Sequence, residues 1–267
     1  MQRRNGVRMM KLRTGDYERD PESGLVLPRR KGVIHARPQF MAGPAFFGGG
    51  PRDPSFSAVS LLVLGEGANS GTVITDRSIN ALTPTSATNT ITTTSDSQFG
   101  TSSLSLDTTQ SFNALKYTGH AGLLFTGDFT LEASFKLSVR NTQYLFWIAE
   151  TEAAGRCNIS TGSAGDVRLN MYGGADVIIN SGTGGSSVIP LNTWFDFSVV
   201  RSGTTITFRI GTTSIGSTTL SGTLGNGTGG LAFVGPVSTG TWLMANVRVT
   251  KGVARTISAL SANFPIA

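Results

Sequence analysis

The sequence predicts an all-β fold: a jelly-roll-like sandwich of two antiparallel sheets, preceded by an extended basic arm. Three observations lead there. Apolar residues recur with a period of two in many short runs, which places them on one face of a strand. Gly, Ser and Thr punctuate those runs as turns. No segment sustains a helical period.

The clearest unit is LNTWFDFSVVRSGTTITFRIG, residues 191–211. Phe195, Phe197 and Val199 alternate with Asp196, Ser198 and Val200. Ile206, Phe208 and Ile210 alternate with Thr205, Thr207 and Arg209. Ser202-Gly203 between the runs supplies the positive φ of a tight turn, so the unit is a β-hairpin. In chain order, Ser57–Leu64 reads as a buried strand, and Gly65-Glu66-Gly67 turns the chain towards Thr72–Thr75. Residues 83–97 form a Thr/Ser-rich tract of weak strand character. Ser102–Asp107 and Phe112–Tyr117 are short strands. Asp128–Ser138 alternates most strictly, with Phe129, Leu131, Ala133, Phe135 and Leu137 facing inward. Gln143–Ala149 is apolar on both faces and therefore central. Val167–Met171, Val177–Ile179 and Leu231–Val234 follow the same grammar. Trp242–Val249 closes the fold with Leu243, Ala245, Val247 and Val249 expected on one face.

Charge divides the chain. Residues 1–56 hold eleven Lys or Arg against five Asp or Glu, whereas residues 57–267 hold eleven of each. The net charge of +6 and the pI near 9.9 thus belong to the arm, and the body is neutral. Residues 1–56 also carry six prolines and the Gly48-Gly49-Gly50 linker, with no lasting periodicity. Such a segment buries too little apolar surface to offset its ordering entropy alone. Its cationic residues Arg3, Arg4, Arg8, Arg13, Arg29, Arg30 and Lys31 suit an acidic protein partner, with Phe40, Phe46 and Phe47 as apolar anchors. Nucleic acid is the less expected partner, because little aromatic interleaving accompanies the arginines. No apolar run is long enough to cross a membrane as a helix. The N-terminus lacks the apolar stretch of a signal peptide. A lone cysteine, Cys157, excludes an internal disulfide.

Five segments carry a family resemblance. LLVLGEGANSG at 61–71, QFGTSSLSLD at 98–107, GDFTLEASFKL at 127–137, the TWFDFSVVRSG hairpin and NVRVTKGVAR at 246–255 are its elements. Together they resemble the laminin-G-like branch of the concanavalin A-like lectin/glucanase superfamily, in the form found in tailed-phage virion proteins. The likeness covers about 57–255 and leaves the arm outside. It implies a structural virion protein, homo-oligomeric and held to other virion proteins by its arm, assembled in the host cytoplasm. The alternative it implies is a carbohydrate-binding adhesin that recognises host glycans.

Candidate chemistry is sparse. Glu18, Asp20 and Glu22 form the E-x-D-x-E pattern of some glucanases of this superfamily, but they sit in the arm beside Pro21, which opposes regular pairing. No comparable trio exists in the body, so no catalytic residue is assigned and no enzyme is expected. Gly65, Gly67 and Gly71 make a turn, not a dinucleotide loop, since no helix follows. His35 and His120 stand apart from any acid or cysteine cluster. Asp128, Asp166 and Asp176 are the acids available for a structural Ca2+ of the kind the resemblance implies, but no dense acidic loop surrounds them, so no cofactor or metal site is assigned. Trp194, Trp242 and Tyr172 are the aromatics expected off the core face, where they would stack on sugar rings or, as is more common, complete a second layer or meet a neighbouring subunit.

Overall fold

The computed structural model describes residues 17–19, 26–28, 52–88, 90–106, 115–139, 143–148, 157–163, 165–171, 177–180, 188–224, 229–234 and 242–266. The chain divides into two units, Met1–Gly49 and Gly50–Ala267. In the first, β1 (Tyr17–Arg19) pairs antiparallel with β2 (Val26–Pro28), setting Glu18 opposite Leu27. Strands of three residues are too short to show a period, which is why the sequence reads as irregular there. Glu18 lies on β1, while Asp20 and Glu22 fall outside the described residues.

The regular structure of the second unit is nearly all strand. In order come β3 (Val59–Val63), β4 (Thr90–Thr93), β5 (Ser103–Leu106), β6 (Leu115–Thr118), β7 (Phe129–Leu137), β8 (Gln143–Ile148) and β9 (Cys157–Thr161). Then come β10 (Val167–Met171), β11 (Val177–Asn180), β12 (Phe195–Ser202), β13 (Thr205–Ile210), β14 (Thr213–Thr219), β15 (Gly230–Val234) and β16 (Trp242–Lys251). One sheet runs β11-β10-β9-β8-β15-β6. The other runs β14-β13-β12-β7-β16-β5-β4, with β3 also paired to β16. Pairing is antiparallel throughout.

The expected hairpin is β12–β13. Ser202 pairs with Thr205, and Gly203 takes φ +60° at the first of the two central positions, where a side chain would be strained. Alternation then sends Phe195, Phe197, Val199, Ile206 and Phe208 into the space between the sheets. There they meet Phe135 of β7 and Phe146 of β8; the Phe135 and Phe146 rings lie 5.9 Å apart, edge to face. Side chains from both sheets make one continuous core, so the unit is a two-layer antiparallel sandwich.

One strand departs from the expected phase. On β16, Ala245 pairs with Ser134 but Arg248 pairs with Glu132, so Asn246 and Val247 have no partners on β7. Asn246 adopts φ +50° at this bulge. The bulge flips the inward set: Trp242 and Met244 face the core before it, Val247 and Val249 after it. Leu243 and Ala245, expected inside, therefore lie on the opposite side of the strand from Trp242. Strict alternation cannot survive an inserted residue. Two strands of this unit were not expected as such, β9 around the buried Cys157 and the polar β14, while β4 falls in the Thr/Ser-rich tract read as weak strand.

The outer face of the larger sheet is partly covered. Residues 253–264 cross it, with Arg255 N donating to Thr130 Oγ1 (2.9 Å) and Thr130 Oγ1 donating to the Val253 carbonyl (3.0 Å). Phe264 is buried against Val59, Leu62 and Leu64, and the Arg248 guanidinium lies 3.8 Å above its ring. Arg248 and Glu132, Asp53 and Arg255 interlock beneath this segment. Asp53 precedes the expected boundary at residue 57, yet its side chain is buried within this second unit.

Candidate functional site

The structure sets apart the two described aromatics proposed for stacking, Trp194 and Trp242. Trp242 is fully buried, 5.6 Å from Phe135 between ring centroids, and is a core residue, not a ligand platform. The bulge at Asn246 is the reason. Tyr172 lies outside the described residues, as do Arg3, Arg4, Arg8, Arg13, Arg29, Arg30, Lys31, Phe40, Phe46 and Phe47. Trp194 is half-buried on the outer side of the larger sheet, and a cluster of hydrogen-bonded polar side chains, the Trp194 cleft, forms around it.

The cleft is assembled from four places in the chain. The turn 191–194, pinned by Asn192 N donating to the Leu137 carbonyl (2.8 Å), delivers Trp194 to the end of β7. The outward positions of β7 supply Ser134 and Lys136, and the first outward position of β12 supplies Asp196. The loop before β5 supplies Asp96 and Gln98, and is held by Ser103 Oγ donating to the Asp96 carbonyl (2.7 Å). Alternation explains why these strands offer polar groups here: the inward set belongs to the core.

Two carboxylates organise the cleft. Asp96 accepts the Trp194 indole N–H at Oδ1 (2.8 Å) and pairs through Oδ2 with the Lys136 ammonium. Asp196 Oδ1 accepts from Gln98 Nε2 (2.8 Å) and Ser134 Oγ (2.7 Å). Asp196 Oδ2 accepts no hydrogen bond among the described residues. Burial pushes the Asp96 carboxyl up, but the hydrogen bonds from Lys136 and Trp194 and the Lys136 charge outweigh it and hold the group below the usual carboxylate range. The Lys136 and Asp96 side chains are 28% and 30% exposed, so the pair is open to solvent. Beneath the cleft, Asn246 is fully buried and its Oδ1 lacks a partner.

From Asp196 a shallow crevice continues under the crossing segment, lined by Glu132, Ser198, Ile257, Leu260 and Phe264. Ser198 is buried, and its Oγ has no hydrogen-bond partner. An aromatic face fixed by its own N–H, flanked by ionised carboxylates, an amide and an ammonium, can hold a ring with an apolar face and an edge of hydroxyls.

The comparisons now bear on the fold. The structure is similar to the binding domain of Paraclostridial Mosquitocidal Protein 1, at 13% identity and a TM-score of 0.56, over 77% of this chain and 50% of that one. It is similar to the botulinum neurotoxin serotype D ligand binding domain in complex with N-acetylneuraminic acid, at 10% identity and a TM-score of 0.52, over 77% and 49% of the two chains. A third likeness is to the binding domain of botulinum neurotoxin DC in complex with SialylT, at 9% identity and a TM-score of 0.51, over 74% and 49%. The shared element is an all-β fold. The chain spans about half the length of these structures, and at such identities the likeness concerns fold alone. No protein-family model matches the chain, and no curated protein matches it in sequence.

The remaining sequence candidates take structural roles. His120 Nδ1 accepts from Gly122 N (3.1 Å) and caps a 3-10 turn. Burial pushes the Cys157 thiol up to about 12, so it is no nucleophile. Asp166 pairs with Arg168, and Asp128 Oδ1 accepts from Gly203 N (2.7 Å); Asp176 lies outside the described residues. Among the described residues no three His, Cys, Asp or Glu side chains gather as a metal set. Asp96, Gln98 and Asp196 were missed by sequence reasoning. The only signal was the placement of Asp196 on the polar face of its strand.

Proposed function

We propose that the body is a non-enzymatic carbohydrate-binding module and that the Trp194 cleft is its sugar site. The observation that carries the reading is the Trp194–Asp96 hydrogen bond, which fixes an accessible indole beside ionised acceptors. Preorganised aromatic platforms bind rings without losing side-chain freedom on association. The fold similarity to toxin binding domains, one in complex with N-acetylneuraminic acid and one with SialylT, supports a binding role over a catalytic one. A concanavalin A-like ancestry and host-surface glycans as ligands are part of this proposal.

The test is a glycan array probed with the full chain and with Trp194→Ala. Binding that is present in the parent and lost by tenfold or more in the variant supports the reading. Binding that is unchanged in the variant removes the cleft from it.

The second part of the proposal concerns anchorage. Residues 1–49 carry the whole net charge, and we assign to them attachment to an acidic protein scaffold such as a virion surface. Incorporation into particles would then fail for a chain starting at Gly50, and would weaken for the full chain as salt rises.

A further inference from the structure

We infer that the surface carrying Val73, Arg77 and Ile79 is an interface between two copies of this chain related by a two-fold axis; the inference does not depend on the glycan reading.

The connection from β3 to β4 contains a pinned ridge. Asp76 is buried and accepts four hydrogen bonds of 2.8 Å, from Leu62 N and Ser78 N at Oδ1 and from Ser78 Oγ and Leu82 N at Oδ2. Arg77 N donates to the Leu62 carbonyl (2.7 Å), and Asn80 Nδ2 to the Ser60 carbonyl (2.9 Å). Ile74, Asp76 and Ser78 are buried, while Val73, Thr75, Arg77 and Ile79, which alternate with them, are exposed. Val73 is 78% and Ile79 62% exposed, two of the three large apolar side chains so exposed among the described residues. One such residue alone is ordinary surface. Two on a segment fixed to β3 make a preorganised contact, which loses little freedom on association.

The charges on this ridge select the partner. Arg77 Nε and Nη2 both donate to Glu66 Oε2 (3.2 and 2.8 Å), and the two side chains are 46% and 48% exposed. Glu66 Oε1 and Arg77 Nη1 have no hydrogen-bond partner among the described residues, so each can take one more. An acidic partner that met Arg77 would also meet Glu66, and a basic partner would meet the reverse. A second copy avoids both conflicts. Under a two-fold axis, a contact from Arg77 to Glu66 of the second copy is returned by its symmetry mate, which closes a ring of four alternating charges. With the axis near Asp76, midway between them in sequence, Val73 of each copy faces Ile79 of the other. A contact of so few residues belongs with small, transient interfaces, so pairing depends on concentration.

The experiment is sedimentation velocity of the full chain from about 1 µM to 1 mM, a range that covers weak and moderate affinities. The expected result is a weight-average mass that climbs towards twice that of one chain. Val73→Ser with Ile79→Ser should weaken association about tenfold or more, because the apolar contact is lost. The thermal melt of that variant should match the parent, since both side chains are exposed. Arg77→Glu should weaken association by about the same factor, because like charges then face each other, and adding Glu66→Arg should restore it to within about threefold. This charge reversal tests the same surface with the apolar side chains in place, and so decides the matter if the serine variant melts early. The mass of a single chain across the whole range would overturn the interface. Association that the serine pair and Arg77→Glu leave unchanged would put the contact elsewhere on the chain, and would overturn it equally. A double reversal that fails to restore pairing would overturn the two-fold arrangement.

Discussion

Asp53 and Arg255, 202 positions apart, meet side to side: Nη1 lies 2.8 Å from Oδ1 and Nη2 2.9 Å from Oδ2. Both side chains are almost withdrawn from water, at 2% and 10% exposed. The pair ties the segment entering β3 to the segment leaving β16, so residues 52–56 are structurally part of the sandwich. A chain starting at Gly50 should melt as a folded domain. A chain starting at residue 57 leaves Arg255 and Arg248 without this carboxylate, and should lose about 2–4 kcal/mol. Urea midpoints of the two truncations decide it, and equal midpoints would mean that the pair contributes nothing.

Acid should dissolve the same contact. Burial pushes the Asp53 carboxyl up, but the Arg255 hydrogen bond, the Ser55 N–H and the two guanidinium charges prevail and lower it below the usual range. A depressed carboxylate contributes stability above its unfolded pKa of about 3.9, and loses it as pH falls through the folded value. The stability gap between the parent and Asp53→Asn should therefore be constant from pH 7 to about 5, then close below about pH 4. A gap that does not narrow at all as pH falls below about 4 would contradict this.

The two tryptophans should respond oppositely. Trp242→Ala empties a fully buried site and should cost about 3–5 kcal/mol in a denaturant melt. Trp194→Ala removes a half-buried ring and one hydrogen bond, and should cost about 1–2 kcal/mol while abolishing sugar binding. A stable Trp242→Ala protein would mean that the core packs differently around β16.

The bulge offers a backbone test. Asn246 sits at φ +50°, where Gly is unstrained, and its only side-chain polar contact among the described residues is a 3.5 Å approach to Gln98. Asn246→Gly should change stability by no more than about 0.5 kcal/mol, whereas Asn246→Val should cost at least about 2 kcal/mol, because a branched side chain resists this conformation.

The hairpin was legible because both its strands and its turn are written within twenty-one consecutive residues, 191–211. The same local grammar placed β7, β8 and β10. It failed on β16, where one inserted residue reverses the faces and nothing in WLMANVRV announces where. It failed again on the cleft. Trp194 and Asp96 lie 98 positions apart, and neither residue's neighbours mention the other. A polar side chain on an outward strand position reads as solvated surface until the partner strand and the crossing segment are known. Asp53 illustrates the same limit, since a proline-flanked acid beside a flexible linker looks like part of the arm.

Mechanical load follows a short route through this molecule. Asp53 stands just before β3 and Arg255 opens the crossing segment just after β16, and these residues share one ion pair. Tension applied between those two points would act on that clasp and on the β3–β16 ladder, where Val63 faces Val247 and Leu61 faces Val249. The aromatic layer between the sheets, and the Trp194 cleft on β7 and β12, lie off that line. A pull between Asp53 and Arg255 therefore loads β3 before the cleft feels the force.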